Sequence, residues 1–372
     1  MTEKKNNDIV QQNAKKEKPL TEVGGNTTKP LHKKAKAVKI PSLSVLQQNV
    51  KQYIIGQDKA VDRIILAIYR SLKIRTIKTN VLVIGKSGSG KTETMKQIAK
   101  ALKIPYTIED ATKFTKEGYV GGNVEDIVYT LYENANKNIH KAERGMIILD
   151  EIDKKINNDS QEDISGKDVL NSLLKIVEGT KVVFADEETS QIMDIPRYID
   201  TSKMIVVFMG AFSGIEKIRE KRLKKKQAIG FGTQVQEDIE SVQDMRYLKE
   251  DLIEYGMPIE FAGRIDTIVE FEQLTKESLS QIAKDSKLSI FRKYEKYLAQ
   301  VGITLEYDTT IFDEMAEKAI SKNTGARELS NVANEIFESI LFEVFSAPKG
   351  KYKKCILQKD FVKNPQTAYV LE

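Results

Sequence analysis

Hydrophobic residues follow two different patterns between about residue 43 and residue 272. Some stretches have apolar residues three or four positions apart, which is typical of a helix with one buried face. Others are short, continuous apolar runs, which are typical of buried strands. The first helical stretch has its apolar residues at Val61, Ile64, Ile65, Ile68 and Leu72. Four strands are predicted from the runs Val81–Ile84, Tyr106–Ile108, Met146–Leu149 and Met204–Met209.

The alternation of predicted strands and helices indicates the class of fold. Strands that alternate with helices form mostly parallel sheets, and the helices cover both faces of the sheet. After about Glu272 the strand-like runs become rare and helical patterns dominate, for example from Arg327 to Phe345. We therefore expect an α/β domain over residues 43–271 and a smaller, mainly helical domain over residues 272–372.

Composition narrows the class of protein. Residues 1–42 are rich in Lys, Asn, Gln and Thr, and we expect them to form a disordered basic tail because they have little apolar surface to bury. Cys355 is the single cysteine and there are two histidines, which excludes a disulfide framework and a zinc site built from these residue types. No apolar run approaches the roughly 18 residues of a membrane-spanning helix, and the N-terminus has no apolar signal-peptide segment. We expect a cytoplasmic protein.

A glycine-rich segment directly follows the first predicted strand. Its sequence matches the phosphate-binding pattern GxxxxGK[ST] and leads into a predicted helix, which is the context that the pattern requires. Backbone N–H groups of such a loop converge on phosphate oxygens at a helix N-terminus. We expect Lys91 to reach the β- and γ-phosphates of ATP and Thr92 to bind Mg²⁺. The expected nucleotide-binding residues are Gly85, Lys86, Ser87, Gly88, Ser89, Gly90, Lys91 and Thr92.

Two acidic residues, Asp150 and Glu151, follow the third predicted strand. Ligands of open α/β sheets bind at the carboxyl ends of the strands. These carboxylates should therefore lie beside the glycine-rich phosphate-binding loop, the P-loop. We expect Asp150 to hold Mg²⁺ through water and Glu151 to orient and deprotonate the attacking water. A pair of carboxylates at this place predicts hydrolysis of the nucleotide rather than binding alone.

Six further short segments occur in order along the chain. They are Tyr53–Gln57, Gly118–Gly121, Ile164–Gly166, Ile229–Phe231, Phe261–Arg264 and Thr324–Arg327. Together with the P-loop and the Asp-Glu strand, they resemble the ClpX family of AAA+ unfoldases over about residues 43–372. The segment Ala111–Thr115 also resembles the HslU family, but that family inserts an extra domain before the Asp-Glu strand. Only a helix is predicted here between Tyr119 and Asp150.

The resemblance implies an AAA+ architecture and a complete ATP site. The implied fold is a P-loop large domain with a helix-covered parallel sheet, followed by a smaller, mainly helical α+β domain. Ile54 and Ile55 correspond to residues that pack the adenine. Arg264 corresponds to an arginine finger that completes the site of a neighbouring subunit, and this arrangement closes into a homo-hexamer in the family. Arg327 corresponds to an arginine that links nucleotide state to the angle between the domains.

The resemblance also implies contacts with other proteins. Tyr119, Val120 and Ile164 correspond to residues that line the hexamer pore and grip unfolded or tagged protein substrates. Ile229, Gly230 and Phe231 correspond to the tripeptide that enters pockets on the ClpP peptidase, and we expect them on a polar loop flanked by residues 224–226. The implied activity is ATP-dependent unfolding and translocation of proteins into a ClpP-like peptidase. No catalytic Ser-His-Asp set is identified, so the partner must supply proteolysis.

Two stretches depart from the pattern of the family. An acidic segment, Asp186–Ile192, stands where the family carries an Arg-Lys-His cluster, and Glu162 stands where it favours Arg. An acidic pore mouth repels carboxylates, so we hypothesise that this chain prefers basic or internal tags. We assign no role to Met209, which lies near the sensor-1 position.

Two other functions stay open on the sequence alone. A stand-alone ATP-driven protein remodeller would use the same motor without a peptidase, but it would have no reason to carry the segment Ile229–Phe231. A nucleic-acid motor would need basic pore loops, which Tyr119, Val120 and Glu162 do not provide. We expect no nucleic-acid partner and no membrane contact.

Overall fold

A five-stranded sheet forms the centre of the larger part of the chain. In this computed structural model the described residues are 40–74, 78–114, 124–156, 164–183, 197–229, 246–322, 324–359, 361–364 and 368–372. The strands are β1 (Thr79–Ile84), β2 (Tyr106–Asp110), β3 (Met146–Asp150), β6 (Ile205–Gly210) and β7 (Thr267–Glu270), and β4 (Lys181–Val183) and β5 (Tyr198–Asp200) form a separate antiparallel pair. The order across the central sheet is β2-β3-β6-β1-β7, and every pairing is parallel.

Helices cover both faces of this sheet, because successive residues of a strand point to opposite faces. Val81 and Val83 of β1 lie in one buried core, and Leu82 and Ile84 lie in the other. The first core is covered by α1 (Leu43–Lys51), α2 (Asp58–Lys73) and α3 (Lys91–Leu102). The second core is covered by α4 (Val124–Asn134), α5 (Ile139–Ala142), α6 (Ile164–Glu178), α7 (Ile215–Ile229), α8 (Lys249–Glu254) and α9 (Ile259–Gly263). The expected helix-covered parallel sheet is confirmed.

The carboxyl-terminal part of the chain has a hydrophobic core of its own. It contains α10 (Lys276–Asp285), α11 (Ile290–Gln300), α12 (Ile311–Ser321), α13 (Ala326–Ser346), β8 (Thr304–Tyr307), β9 (Lys354–Leu357) and β10 (Tyr369–Leu371). β8 pairs with β9 in parallel and β10 pairs with β9 antiparallel, so this part is helical with a small mixed sheet. Phe271 packs in a core of the larger part and Leu274 packs in this one, so the proposed domain boundary near residue 272 falls between them.

Among the described residues, none of the helices is both long enough and apolar enough to cross a bilayer.

The aromatic ring of Phe291 is the basis of a stability prediction. It is 1% exposed, and its centroid lies 5.5, 5.0, 5.3 and 6.3 Å from four other rings. We expect Phe291→Ala to lower the free energy of unfolding by about 3–5 kcal/mol, because it opens a cavity in a packed core. Urea denaturation followed by circular dichroism measures this. Phe342→Ala is the matched control, since Phe342 is 77% exposed; equal losses in both variants would contradict the described core.

Candidate nucleotide site

The P-loop connects β1 to α3 through residues 85–90, and two of its glycines have conformations that other residues rarely adopt. Gly88 has φ +76° and Gly90, which precedes the first residue of α3, has φ +96°. A Cβ atom on Gly88 would lie 2.1 Å from the carbonyl oxygen of Thr324. Glycine is therefore required at Gly88 for both its backbone conformation and the close approach of the carboxyl-terminal part.

The amine of Lys91 is bound to the backbone of this loop. Lys91 is 8% exposed, and its Nζ donates to the carbonyl oxygens of Gly85 and Lys86, the latter at 3.0 Å. Burial lowers the pKa of this amine, and the carboxylates of Asp150 and Asp153 oppose that shift. The loop therefore holds a buried cation at the carbonyl groups of its first two residues.

Thr92 and Asp150 are joined by a hydrogen bond between α3 and β3. The Thr92 hydroxyl donates to Asp150 Oδ2 at 2.8 Å, and Asp150 Oδ1 accepts from the backbone N–H of Glu151 at 2.9 Å. These adjacent oxygen donors fit Mg²⁺, which takes oxygen ligands and is commonly bound through one or two protein groups together with substrate phosphates.

Glu151 has an unusual backbone conformation at the end of β3. Its φ and ψ are +57° and +33°, in the left-handed region that costs a non-glycine residue roughly 1–2 kcal/mol. The residue is exposed to the cavity beside Asp150. Backbone strain of this kind concentrates at functional sites, which supports a role for this carboxylate in the chemistry.

Sequence reasoning missed Asp153, two residues after Glu151. Asp153 is 6% exposed, and its Oδ2 accepts from the backbone N–H of Phe212 at 3.1 Å. A Cβ on Gly210 would lie 2.5 Å from Asp153 Oδ1, so the glycine at the end of β6 makes room for this carboxylate. Asp153 thereby ties the turn after β3 to the turn after β6. The Asp-Glu-x-Asp spacing was the signal available in the sequence.

These groups surround one cavity of about 720 Å³, which lies between the two parts of the chain. The volume is within the range of small-molecule sites. Apolar side chains of the carboxyl-terminal part, Leu274, Ile282 and Leu288, face it. The predicted nucleotide residues that line it are Ile54, Ile55, Ser87, Gly88, Ser89, Gly90, Lys91, Thr92, Asp150, Glu151 and Arg327.

Two predicted residues lie beside this cavity rather than on it. Gly85 accepts from Lys91 through its carbonyl, and the Nζ of Lys86 donates to Gln273 Oε1 at 2.9 Å. The Lys86 side chain therefore faces the segment between β7 and α10. Any contact of Gly85 or Lys86 with a nucleotide would come from the backbone.

Gln57 belongs to the segment Tyr53–Gln57, but the sequence analysis predicted no role for it. It is 4% exposed, and its side-chain amide donates to Glu272 O at 2.7 Å and to Ser89 O at 3.3 Å, while its Oε1 accepts from Glu272 N at 3.2 Å. One buried amide therefore joins the P-loop to the segment that leads into the carboxyl-terminal part. A single glutamine carries no pattern that sequence periodicity could detect.

Arg264 is remote from this cavity. It follows α9, its Nη2 lies 2.6 Å from Glu178 Oε1, and its carbonyl accepts from Asn80 Nδ2 at 2.9 Å. Asn80 is near the start of β1 and Gly85 follows its end, a separation of about 16 Å along a strand. Arg264 is therefore not among the residues that line the cavity at its own P-loop.

The predicted protein-contact residues lie largely outside the described residues. These are Tyr119, Val120, Gly230 and Phe231, together with Glu162 and the segment 186–192. The backbone places Ile164 at the first position of α6 and Ile229 at the last position of α7. The expectation of a loop for Ile229–Phe231 is wrong at Ile229, which belongs to α7, while Gly230 and Phe231 lie outside the described residues.

Comparisons with known proteins agree with this geometry. The family model for the AAA domain (Cdc48 subfamily) matches residues 77–268, and that for the C-terminal D2-small domain of ClpB protein matches residues 274–355. The ATP-dependent Clp protease ATP-binding subunit ClpX of Borrelia duttonii is 35% identical, over 87% of this chain and 79% of that protein. The same subunit of Treponema denticola is 34% identical, over 87% of this chain and 82% of that protein. The chain is thus an ATPase, and it belongs to the ClpX family of AAA+ proteins.

Proposed function

We propose that this chain is the motor of a protein-unfolding machine that threads substrates through a hexamer pore into a ClpP-like peptidase. The observation that carries the proposal is the cavity where Lys91, Thr92, Asp150 and Glu151 meet. The relatives' printed name, ATP-binding subunit of an ATP-dependent protease, supports the link from hydrolysis to protein degradation.

Different residues of the cavity have different roles in ATP hydrolysis. The Lys91 amine and the loop N–H groups bind the β- and γ-phosphates. Thr92 and Asp150 would hold Mg²⁺, Asp150 through water, and the ion would neutralise charge on the phosphates. Glu151 orients a water and accepts its proton as the water oxygen bonds to the γ-phosphorus and the bond to the β–γ bridging oxygen breaks.

Arg264 supplies the missing positive charge to a neighbouring chain. Its distance from its own P-loop and its exposed guanidinium support this role. A finger that acts in trans requires a head-to-tail interface, which closes into a ring. Within one chain, Arg327 on α13 and Gln57, which binds Glu272 in the segment between β7 and α10, link the nucleotide to the angle between the two parts of the chain.

The proposed contacts with other proteins come from the family resemblance. Tyr119, Val120 and Ile164 would grip the substrate in the pore, where apolar and aromatic surface binds a chain of any sequence. Ile229, Gly230 and Phe231 would dock the peptidase as an apolar anchor.

The role of Glu151 predicts separable binding and hydrolysis. We expect Glu151→Gln to bind a fluorescent ATP analogue with unchanged affinity but to release phosphate at least about 100-fold more slowly, because the base is lost. Glu317→Gln, in an exposed pair with Lys276, makes the same carboxylate-to-amide change away from the site and should not alter either measurement. Wild-type turnover by Glu151→Gln would refute the assignment.

The peptidase link predicts a separation of unfolding from degradation. With a ClpP-like peptidase from the same cell, we expect deletion of Ile229–Phe231 to abolish degradation of a fluorescent folded substrate. ATP hydrolysis and unfolding, followed with an unfolded-state trap, should continue. Deletion of Gln234–Gln236 is the matched control of equal length. If the wild-type chain unfolds the substrate but the peptidase never degrades it, the stand-alone remodeller is the better description.

The acidic segment 186–192 predicts a preference among tags. We expect a folded substrate with a basic tag to be degraded faster than one with a C-terminal carboxylate tag of equal length, because like charges repel at the pore mouth. The rate difference should shrink as salt is raised from about 0.05 to 0.3 M, where screening is stronger. Faster degradation of the carboxylate-tagged substrate would contradict the hypothesis.

A further inference from the structure

The Arg264 finger is held by two side chains that the proposed mechanism does not yet use. Glu178, the last residue of α6, accepts from its guanidinium at 2.6 Å. Asn80 donates to its carbonyl oxygen at 2.9 Å. One contact therefore fixes the side chain of Arg264, and the other fixes its backbone.

Asn80 connects the end of α6 to the residue that carries the finger. It is 4% exposed, and its Nδ2 donates both to Val177 O, at 3.2 Å, and to Arg264 O. Its backbone N–H donates to Asp266 Oδ2 at 2.8 Å, and its carbonyl accepts from Asp266 N at 2.9 Å. Arg264 itself and Asp266, two residues later, are thus anchored to the start of β1.

Glu178 occupies a position that does not favour a carboxylate. The C-terminus of a helix carries partial negative charge, so an acidic residue there is repelled unless a cation lies nearby. Its side chain is 39% exposed and that of Arg264 is 53% exposed. Ion pairs this exposed contribute little to stability. A contribution to the stability of the fold therefore does not explain why this ion pair is present.

The geometry suits orientation of the guanidinium. Arginine has five N–H donors in a planar fork, so a bond from Nη2 to Glu178 leaves others to face a phosphate. A free arginine side chain samples many rotamers, and the carboxylate reduces that number before the neighbouring chain arrives. Pre-organisation of this kind acts on the chemical step rather than on nucleotide binding in the same chain.

We propose that Glu178 is a positioning residue for the Arg264 finger, with Asn80 anchoring the backbone beneath it; this inference rests on the proposed trans role of Arg264. Glu178 is not among the residues that line the chain's own cavity. Its effect reaches the phosphate of the neighbouring chain through the guanidinium alone.

Steady-state ATP hydrolysis by the assembled full-length chain tests this proposal. We expect Glu178→Gln to lower kcat about tenfold while KM for ATP changes less than about twofold, because orientation is lost and binding is not. Glu254→Gln is the matched control, since it removes the same charge from an exposed 2.7 Å pair with Lys221, and its kcat should equal that of the wild type. The melting temperatures of both variants should match the wild type.

A double variant separates positioning from other effects. If Glu178 acts through Arg264, the Glu178→Gln change should have no further effect on kcat in an Arg264→Ala background. An equal tenfold loss in both backgrounds would overturn the proposal. If Arg264→Ala itself hydrolyses ATP at the wild-type rate, the trans finger is wrong; if it is slow while Glu178→Gln is normal, only the present inference fails.

Mixed assemblies test the direction of the effect. Chains with Lys91→Ala have a defective P-loop but an intact Glu178–Arg264 pair, and chains with Glu178→Gln have an intact P-loop. We expect mixtures to hydrolyse more ATP than the sum of the two separate samples, because a Lys91→Ala chain supplies an oriented finger to a Glu178→Gln neighbour. A purely additive rate, measured after exchange of subunits is complete, would place the effect of Glu178 within its own chain and overturn the proposal.

Discussion

Strand β1 is buried along its whole length and hydrogen-bonded to β6 on one edge and to β7 on the other, which fixes its two ends relative to each other. Its carboxyl end leads into the P-loop, and Asn80 near its amino end anchors Arg264. If Arg264 acts in trans as proposed, the two halves of a shared ATP site lie at opposite ends of one strand, and each chain would offer a phosphate site to one neighbour and a cation to the other.

The shape of the nucleotide cavity depends on the contact between the P-loop and the carboxyl-terminal part. The backbone N–H of Ala326 donates to Gly88 O at 3.1 Å, and Gln57 joins the P-loop to Glu272. The shape of the cavity thus varies with the angle between the two parts. A nucleotide can shift that angle only if it binds one arrangement more tightly than another. Arg327, on the helix that begins at Ala326, lines the cavity and is the residue proposed to make that difference.

The sequence predicted what continuous apolar runs and local spacing can carry. β1, β3 and β6 were found because they are inner strands whose residues are almost all buried. β2 and β7 are edge strands with one buried residue each; the run Tyr106–Ile108 was recognised, whereas Thr267–Glu270 was missed. β8 was missed because its residues alternate between exposed and partly buried. The P-loop and the Asp-Glu pair were found because each is defined by a few consecutive residues.

The supporting residues could not be predicted in this way. Asn80 contacts Arg264 across 184 positions of sequence, and Gln57 contacts Glu272 across 215. Asn80 and Gln57 are single polar residues, and the role of each depends on which backbone groups lie next to it in the folded chain. Local patterns identify the groups that touch the phosphate, whereas the groups that hold them in place emerge only from tertiary contacts.

Helix α6 joins the two kinds of proposed contact in one element. It begins at Ile164, in the segment proposed to meet the substrate, and ends at Glu178, which contacts the guanidinium of Arg264. Fifteen helical residues span about 22 Å, and a helix packed over that length moves as a unit. A displacement at its amino end would therefore change the Glu178–Arg264 contact while the P-loop at the far end of β1 stayed in place. Such an arrangement would let substrate in the pore alter hydrolysis in the neighbouring chain without altering nucleotide binding in its own.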